Sequence, residues 1–248
     1  FACKHEPESP SEGPEIPQAG CKLQKKILKN SNQSYTYEYD SEGRISKYTE
    51  LWNDVPRTWN VFHYSGKRMV SRESWSDYPN STLKMERLDT LIYNDKGLIS
   101  EKRVLIPKDN LSVKTIYQYV YNSDGLPVES RVVDAVANET ILSHKYFWEN
   151  GNIAGKEDYA GDFGDLMHEW VYEYGTGLNP EKIVAMYPEH PDYQSENLEK
   201  AMNATDYTGL LDLLCNPCFH NYDLNEHDLP TRIHYGWGKE IELIWDCP

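Results

Sequence analysis

Cys215-Asn-Pro-Cys218 carries two thiols at a spacing that lets them act together, as a redox dithiol or as half of a zinc site. A redox dithiol needs a βαβ setting and a helix N-terminus to lower the thiol pKa, and no βαβ pattern surrounds this pair. Zinc needs further ligands; His220 is near, and Cys21 and Cys247 are the other thiols available. A second group is Asp158, Asp162, Asp165 and Glu169, set around two glycines in the stretch 157–170. Oxygen donors on a flexible loop are what calcium prefers, which makes calcium the candidate ion. The spacing fits no standard calcium loop, and in a chain of net charge −15 an acidic turn needs no ion. The eight histidines show no HxxxH pairing, and GxSxG, Walker and dinucleotide motifs are absent. No catalytic residue is therefore assigned, and the expectation leans away from an enzyme.

The elements that hold these residues are announced by repetition. One phrase recurs: aromatic, polar, aromatic, a short turn, then a β-branched restart. It reads YEYDSEGRI at 37–45, FHYSGKRMV at 62–70, LIYNDKGLI at 91–99 and YVYNSDGLPV at 119–128. It continues as YFWENGNI at 146–153 and YEYGTGLNPEKI at 172–183, and closes as YDLNEHDLPTRI at 222–233, where Asp228 stands in the glycine position. Each phrase predicts a β-hairpin, because Asn, Asp and Gly supply the backbone angles that tight turns require. Strict alternation, as in Tyr37 and Tyr39 against Glu38 and Asp40, puts aromatics on one face and polar groups on the other. Two strands per phrase, with KLQKKIL (22–28) and EIELIWDC (240–247), give roughly 16 strands of all-β antiparallel meander. Isolated hairpins are not stable, so the sheet is expected to curl or close, barrel-like, with its aromatic face inward.

Between Gly177 and Asp228 the step is 51 residues, about twice the usual spacing. There the period of two gives way: Ser195 reads as an N-cap, and Leu198, Met202, Leu210, Leu211, Leu213 and Leu214 form an apolar set. A short helical insertion is expected at 188–218. Cys21 opens the first strand and Cys247 closes the last, and an even strand count brings those ends to one edge. Disulfides among Cys21, Cys215, Cys218 and Cys247 are thus the leading expectation for the cysteines. Residues 1–20, rich in Pro and Glu, are read as a flexible tether, and 21–248 as one repeat domain.

The phrases YTYEYDSEGRISKYTE and YQYVYNSDGLPVESRV resemble the YD repeat of Rhs-type bacterial proteins, although the hairpin set is far shorter than a full Rhs shell. The start, FAC followed by a polar tail, resembles the end of a bacterial lipoprotein signal, in which Cys3 would be the lipid-bearing residue. Together these features look like a family of lipoproteins from gut Gram-negative bacteria, with YD-like hairpins, a porin-like β fold and no assigned activity. The resemblance implies a curled or closed sheet, an outer-membrane-anchored, surface or periplasmic location, and no catalytic residues to carry over.

Net charge −15 argues against nucleic acid as a partner, since phosphates need clustered Lys and Arg. A strand surface facing lipid must be apolar over about 25 Å, and the alternating Glu, Asp and Gln positions do not provide that, so a lipid anchor is expected rather than a membrane span. Trp52, Trp59, Trp75 and Trp237 fall outside the core positions of the repeat and are the candidates for stacking on sugar rings or docking an envelope protein. A binding module is the expected function; a structural scaffold and a hydrolase with acidic groups at a sheet rim are the alternatives.

Overall fold

The structure is a computed structural model that describes residues 20–77, 84–180, 182, 191, 195, 197–207, 218–235 and 238–248. Sixteen strands follow in chain order: β1 (Lys22–Leu28), β2 (Gln33–Tyr39), β3 (Ile45–Trp52), β4 (Val55–Ser65), β5 (Arg68–Ser76), β6 (Lys84–Tyr93), β7 (Ile99–Ile106) and β8 (Ser112–Tyr121). They continue with β9 (Pro127–Asp134), β10 (Glu139–Glu149), β11 (Asn152–Ala160), β12 (Leu166–Leu178), β13 (Asn197–Asp206), β14 (Cys218–Leu224), β15 (Pro230–Tyr235) and β16 (Glu240–Asp246). Each strand pairs antiparallel with its sequence neighbours, and β1 pairs with β16, closing the barrel. The expected all-β meander and its strand number are present, and of the two forms left open, curled or closed, the sheet takes the closed one.

The recurring phrase has a physical reading at atomic detail. In each of four turns an Asx side chain accepts two backbone N–H groups: Asp40 from Glu42 and Arg44, Asn94 from Lys96 and Leu98, Asn122 from Asp124 and Leu126, Asn225 from His227 and Leu229. The fourth turn residue has positive φ, which glycine adopts at no steric cost, as at Gly125 (φ 78°). Asp228 takes the same conformation at φ 57°.

The tyrosine just before four of the turns is a latch. Tyr39, Tyr64, Tyr93 and Tyr121 donate their hydroxyls to the carbonyls of Leu23, Ile45, Met69 and Ile99, at 3.0, 2.9, 2.6 and 2.7 Å. Trp148 and Trp245 use their indole N–H on the carbonyls of Pro127 and Pro230. Each acceptor lies at or next to the start of a strand, so the bond ties the end of one strand to the start of a neighbouring one. Tyrosine suits the position because its ring packs while its hydroxyl reaches the backbone. Burial pushes the Tyr64 hydroxyl up to about 12, so it remains a donor at any physiological pH.

One face of the sheet forms the core, where Tyr37, Ile45, Phe62, Met69, Ile99, Tyr119 and Ile241 are buried together. The other face carries ion pairs: Glu38 with Lys47, His63 with Glu73, Glu101 with Arg103, Glu129 with Arg131. The tyrosines of the repeat thus face inward and these ion pairs outward, as the alternation predicts.

Two expectations are corrected. Asn197–Asp206, read as part of a helical insertion, is strand β13, paired along β12 from Asn197↔Leu178 to Asp206↔His168. Leu198 and Met202 mimic a helical i, i+4 pair, but the segment runs extended along β12, and Ala201 and Ala204 are buried in it. Without β13 the long edge of β12 would be unpaired, and that tertiary demand outweighs local propensity. Ser195 caps no helix: it is buried, its Oγ accepts the Ile153 N–H at 3.2 Å, and its carbonyl accepts from Asn179. Residues 208–217, which hold Leu210, Leu211, Leu213 and Leu214, lie outside the described residues. The second correction is the turn expected at Gly177, because β12 runs straight through it to Leu178. The reason is at Gly175, where a Cβ would stand 1.5 Å from the Tyr222 hydroxyl. That phrase keeps a glycine to admit a tyrosine from β14, not to turn the chain.

Candidate functional site

Of the four candidate tryptophans, two are brought together. Trp59 on β4 and Trp75 on β5 are direct cross-strand partners. Their row runs Thr36, Thr49, Trp59, Trp75, Met85 and is offset by one residue from the core row Tyr37, Tyr48, Asn60, so the indoles project outward. Both are half-buried. The Trp75 indole N–H donates to Glu73 Oε2 at 2.9 Å, and His63 Nε2 lies 3.1 Å from Glu73 Oε1. The result is an outward patch of two indoles flanked by a carboxylate whose oxygens are already oriented. Trp52 stands apart: it shares the inward row with Glu50, donates to its Oε1 at 2.6 Å, and is 49% exposed at the strand end. Trp237 lies outside the described residues.

The acidic stretch does not converge. Asp158 and Glu169 belong to opposite faces, since Asp158 pairs with His168 while Glu169 pairs with Glu157. Asp162 is held by Arg131 at 2.7 Å, and Glu169 accepts from the Tyr207 hydroxyl at 3.0 Å. Asp165 contributes its backbone carbonyl to Ala160.

Asp158 instead centres an inward polar hub that the sequence reading missed. Its Oδ1 is 2.6 Å from His144 Nδ1 and 3.2 Å from Lys156 Nζ, and its Oδ2 accepts from the Trp170 indole at 2.7 Å, with His168 Nδ1 at 3.7 Å. Burial alone would raise its pKa, but the His144 bond, the Lys156 charge and the Trp170 bond outweigh it and bring the carboxyl down to about 2. A carboxylate so held is a fixed acceptor and a poor proton donor. A signal for the hub exists: His144 is two residues before the core residue Tyr146, so alternation already puts it inward. A second inward pair, Arg72 with Asp89, is buried and joined by Arg87.

Cys21 and Cys247 form a disulfide across the β1–β16 seam, with Cα atoms 4.1 Å apart. Cys3 and Cys215 lie outside the described residues, and Cys218 is described as the first residue of β14. Among the described residues the one group of three potential metal donors is Cys21, His227 and Cys247.

No protein-family model matches the chain, and no curated protein does. Solved structures do match. A porin-like protein from Bacteroides uniformis superposes with a TM-score of 0.51 at 14% identity, over 90% of this chain and 98% of that one. A porin-like protein from Bacteroides vulgatus gives 0.47 at 14% identity, over 90% and 97%. The TcdB2–TccC3 complex matches 87% of this chain with 14% of its own, at 9% identity and a TM-score of 0.33. What the chain shares with the first of these is the fold, and the fold is a porin-like barrel.

Proposed function

We propose that this protein is an extracytoplasmic interaction module of a Gram-negative envelope, which binds a glycan on the outward Trp59–Trp75 patch. The reading adds a lipid anchor at Cys3, kinship with YD-repeat hairpins and display of the barrel at the end of the 1–20 segment. The single observation that carries the binding role is the cross-strand pair of indoles on the outward face with the Glu73 carboxylate beside them. Aromatic faces stack on the apolar face of a sugar ring, and the Glu73 carboxylate beside them is an acceptor for its hydroxyls. The porin-like fold and the disulfide support an extracytoplasmic setting. The ion pairs on the outward rows interrupt the exposed apolar residues there, such as Val120, Phe147 and Val171, which supports a barrel that stays out of the lipid core.

A glycan array probed with the chain, followed by calorimetry on the hits, tests this. Trp59→Ala and Trp75→Ala are each expected to weaken binding by about tenfold or more, near 1.4 kcal/mol, whereas Trp52→Ala leaves it unchanged. Binding no better than background, or binding indifferent to both outward substitutions, defeats the glycan reading and leaves the scaffold role in its place.

A further inference from the structure

The disulfide that closes the barrel has a third residue beside it. His227 sits in the β14–β15 turn, and one of its ring nitrogens lies with both Cys21 Sγ and Cys247 Sγ in a group whose atoms are all within 4.8 Å of one another. All three residues are partly buried. We infer that Cys21, Cys247 and His227 form a binding site for a thiophilic divalent cation, with Zn²⁺ the best match, that opens when the disulfide is reduced.

Three features support the assignment. The donor set is two thiolates and an imidazole, which suits zinc and not calcium or magnesium. At about 2.3 Å to sulfur and about 2.0–2.1 Å to nitrogen, tetrahedral angles place donor atoms about 3.5–3.8 Å apart. That lies within the 4.8 Å limit that encloses the three donor atoms, so the sulfurs must part and the imidazole needs at most a small adjustment. The frame does not depend on the S–S bond either. Lys22↔Asp246 and Leu23↔Trp245 pair directly beyond the cysteines. The His227 backbone is fixed by its N–H to Asn225 Oδ1 at 3.0 Å and by the Asp228 N–H to the Asn225 carbonyl. Three protein donors leave a fourth position for water.

The step balances with a dithiol reductant as co-reactant. The dithiol takes the disulfide's place as the oxidised partner, Cys21 and Cys247 each gain one proton and one electron, and the reductant becomes a cyclic disulfide. Zn²⁺ then displaces the two thiol protons, so binding releases two protons and grows stronger as pH rises. The seam is thereby closed by a covalent link under oxidising conditions and by a metal link under reducing ones.

The test uses the full chain with Cys3, Cys215 and Cys218 replaced by Ser, so that no other thiol contributes. Co²⁺ is the probe, because thiolate ligation gives a charge-transfer band and a tetrahedral site gives intense d–d absorption. One Co²⁺ per reduced chain is expected, displaced by Zn²⁺, and none per oxidised chain. His227→Ala is expected to weaken the reduced site by at least about 100-fold, since even outer partners of metal ligands are worth about 10–100-fold. If reduction alone unfolds the barrel, Zn²⁺ should restore its far-ultraviolet circular dichroism. Absence of the cobalt bands in the reduced chain, failure of Zn²⁺ to restore a lost fold, or a His227→Ala chain that binds as tightly as its parent would overturn the assignment.

Discussion

At the scale of the residue, Asp158 shows how a buried charge is made tolerable. Its carboxylate has four partners, on β10, β11 and β12, so the low-dielectric cost is offset by specific bonds and not by water. Folding holds its pKa at about 2, against an ordinary 3.8. A carboxyl depressed by folding stabilises the protein at every pH above its unfolded value, and the contribution disappears as pH falls toward the folded one. Acid titration is therefore expected to remove about 2 kcal/mol between about pH 4 and pH 2 through this group alone. Urea midpoints measured across that range check it: an Asp158→Asn chain should be less stable near neutrality and show a flatter loss of stability in acid. A variant whose pH profile parallels the parent's would mean that Asp158 is not the group responsible. The hub escaped sequence reading because His144, Asp158 and His168 are 14 and 10 residues apart with no motif spacing. They meet only because three successive strands put them on one row.

At the scale of the element, the hairpin unit was legible because all its parts are local. The Asx acceptor, the positive-φ residue and the latch aromatic sit within a few residues of one another, and a local pattern survives any tertiary context. The 172–183 phrase failed for the opposite reason. Its glycines answer a contact from β14, about 45 residues away, which no short window contains. The two kinds of glycine respond differently to substitution. Gly125 has φ 78° and its nearest neighbour to an added Cβ is Leu98 at 3.8 Å, so Gly125→Ala meets only the backbone penalty of about 1–2 kcal/mol. Gly175→Ala collides with the Tyr222 ring and should cost more than the ~1–3 kcal/mol of ordinary overpacking. Shortening the partner, as in Gly175→Ala with Tyr222→Leu, should recover part of that loss, whereas Tyr222→Leu should leave the Gly125→Ala cost unchanged. Chemical denaturation of the three single and two double variants reads this out, and additive costs at Gly175 and Tyr222 would rule the contact out as the cause.

At the scale of the whole molecule, a meander of hairpins becomes a barrel only if its first and last strands meet. Here that seam has six Cα-partner pairs between β1 and β16 and the Cys21–Cys247 bond at its end. Elsewhere the ladder is thinner: among the described residues β13 and β14 share two partner pairs, Ala201↔Phe219 and Met202↔Cys218. Past that point β12 reaches β14 and its turn directly, through Gly175 with Tyr222 and through the Leu178 N–H to the Asp228 carbonyl at 3.1 Å. Among the described pairings β13–β14 is the thinnest seam and so the expected place of opening, and the disulfide does not guard it. What the bond constrains is the unfolded chain, whose ends it holds together across 226 residues. Chain-entropy reasoning gives about 5 kcal/mol for a loop that long, an upper bound because unfolded chains keep residual structure. Replacing Cys21 and Cys247 by Ser should therefore lower the free energy of unfolding by several kcal/mol while leaving the native circular dichroism intact, since the β1–β16 ladder does not depend on sulfur. The effect should fall mainly on refolding rate, because the lost constraint belongs to the unfolded state. If the substitution instead speeds unfolding and leaves refolding unchanged, the bond acts in the native barrel, and the β1–β16 seam rather than β13–β14 is where the molecule opens.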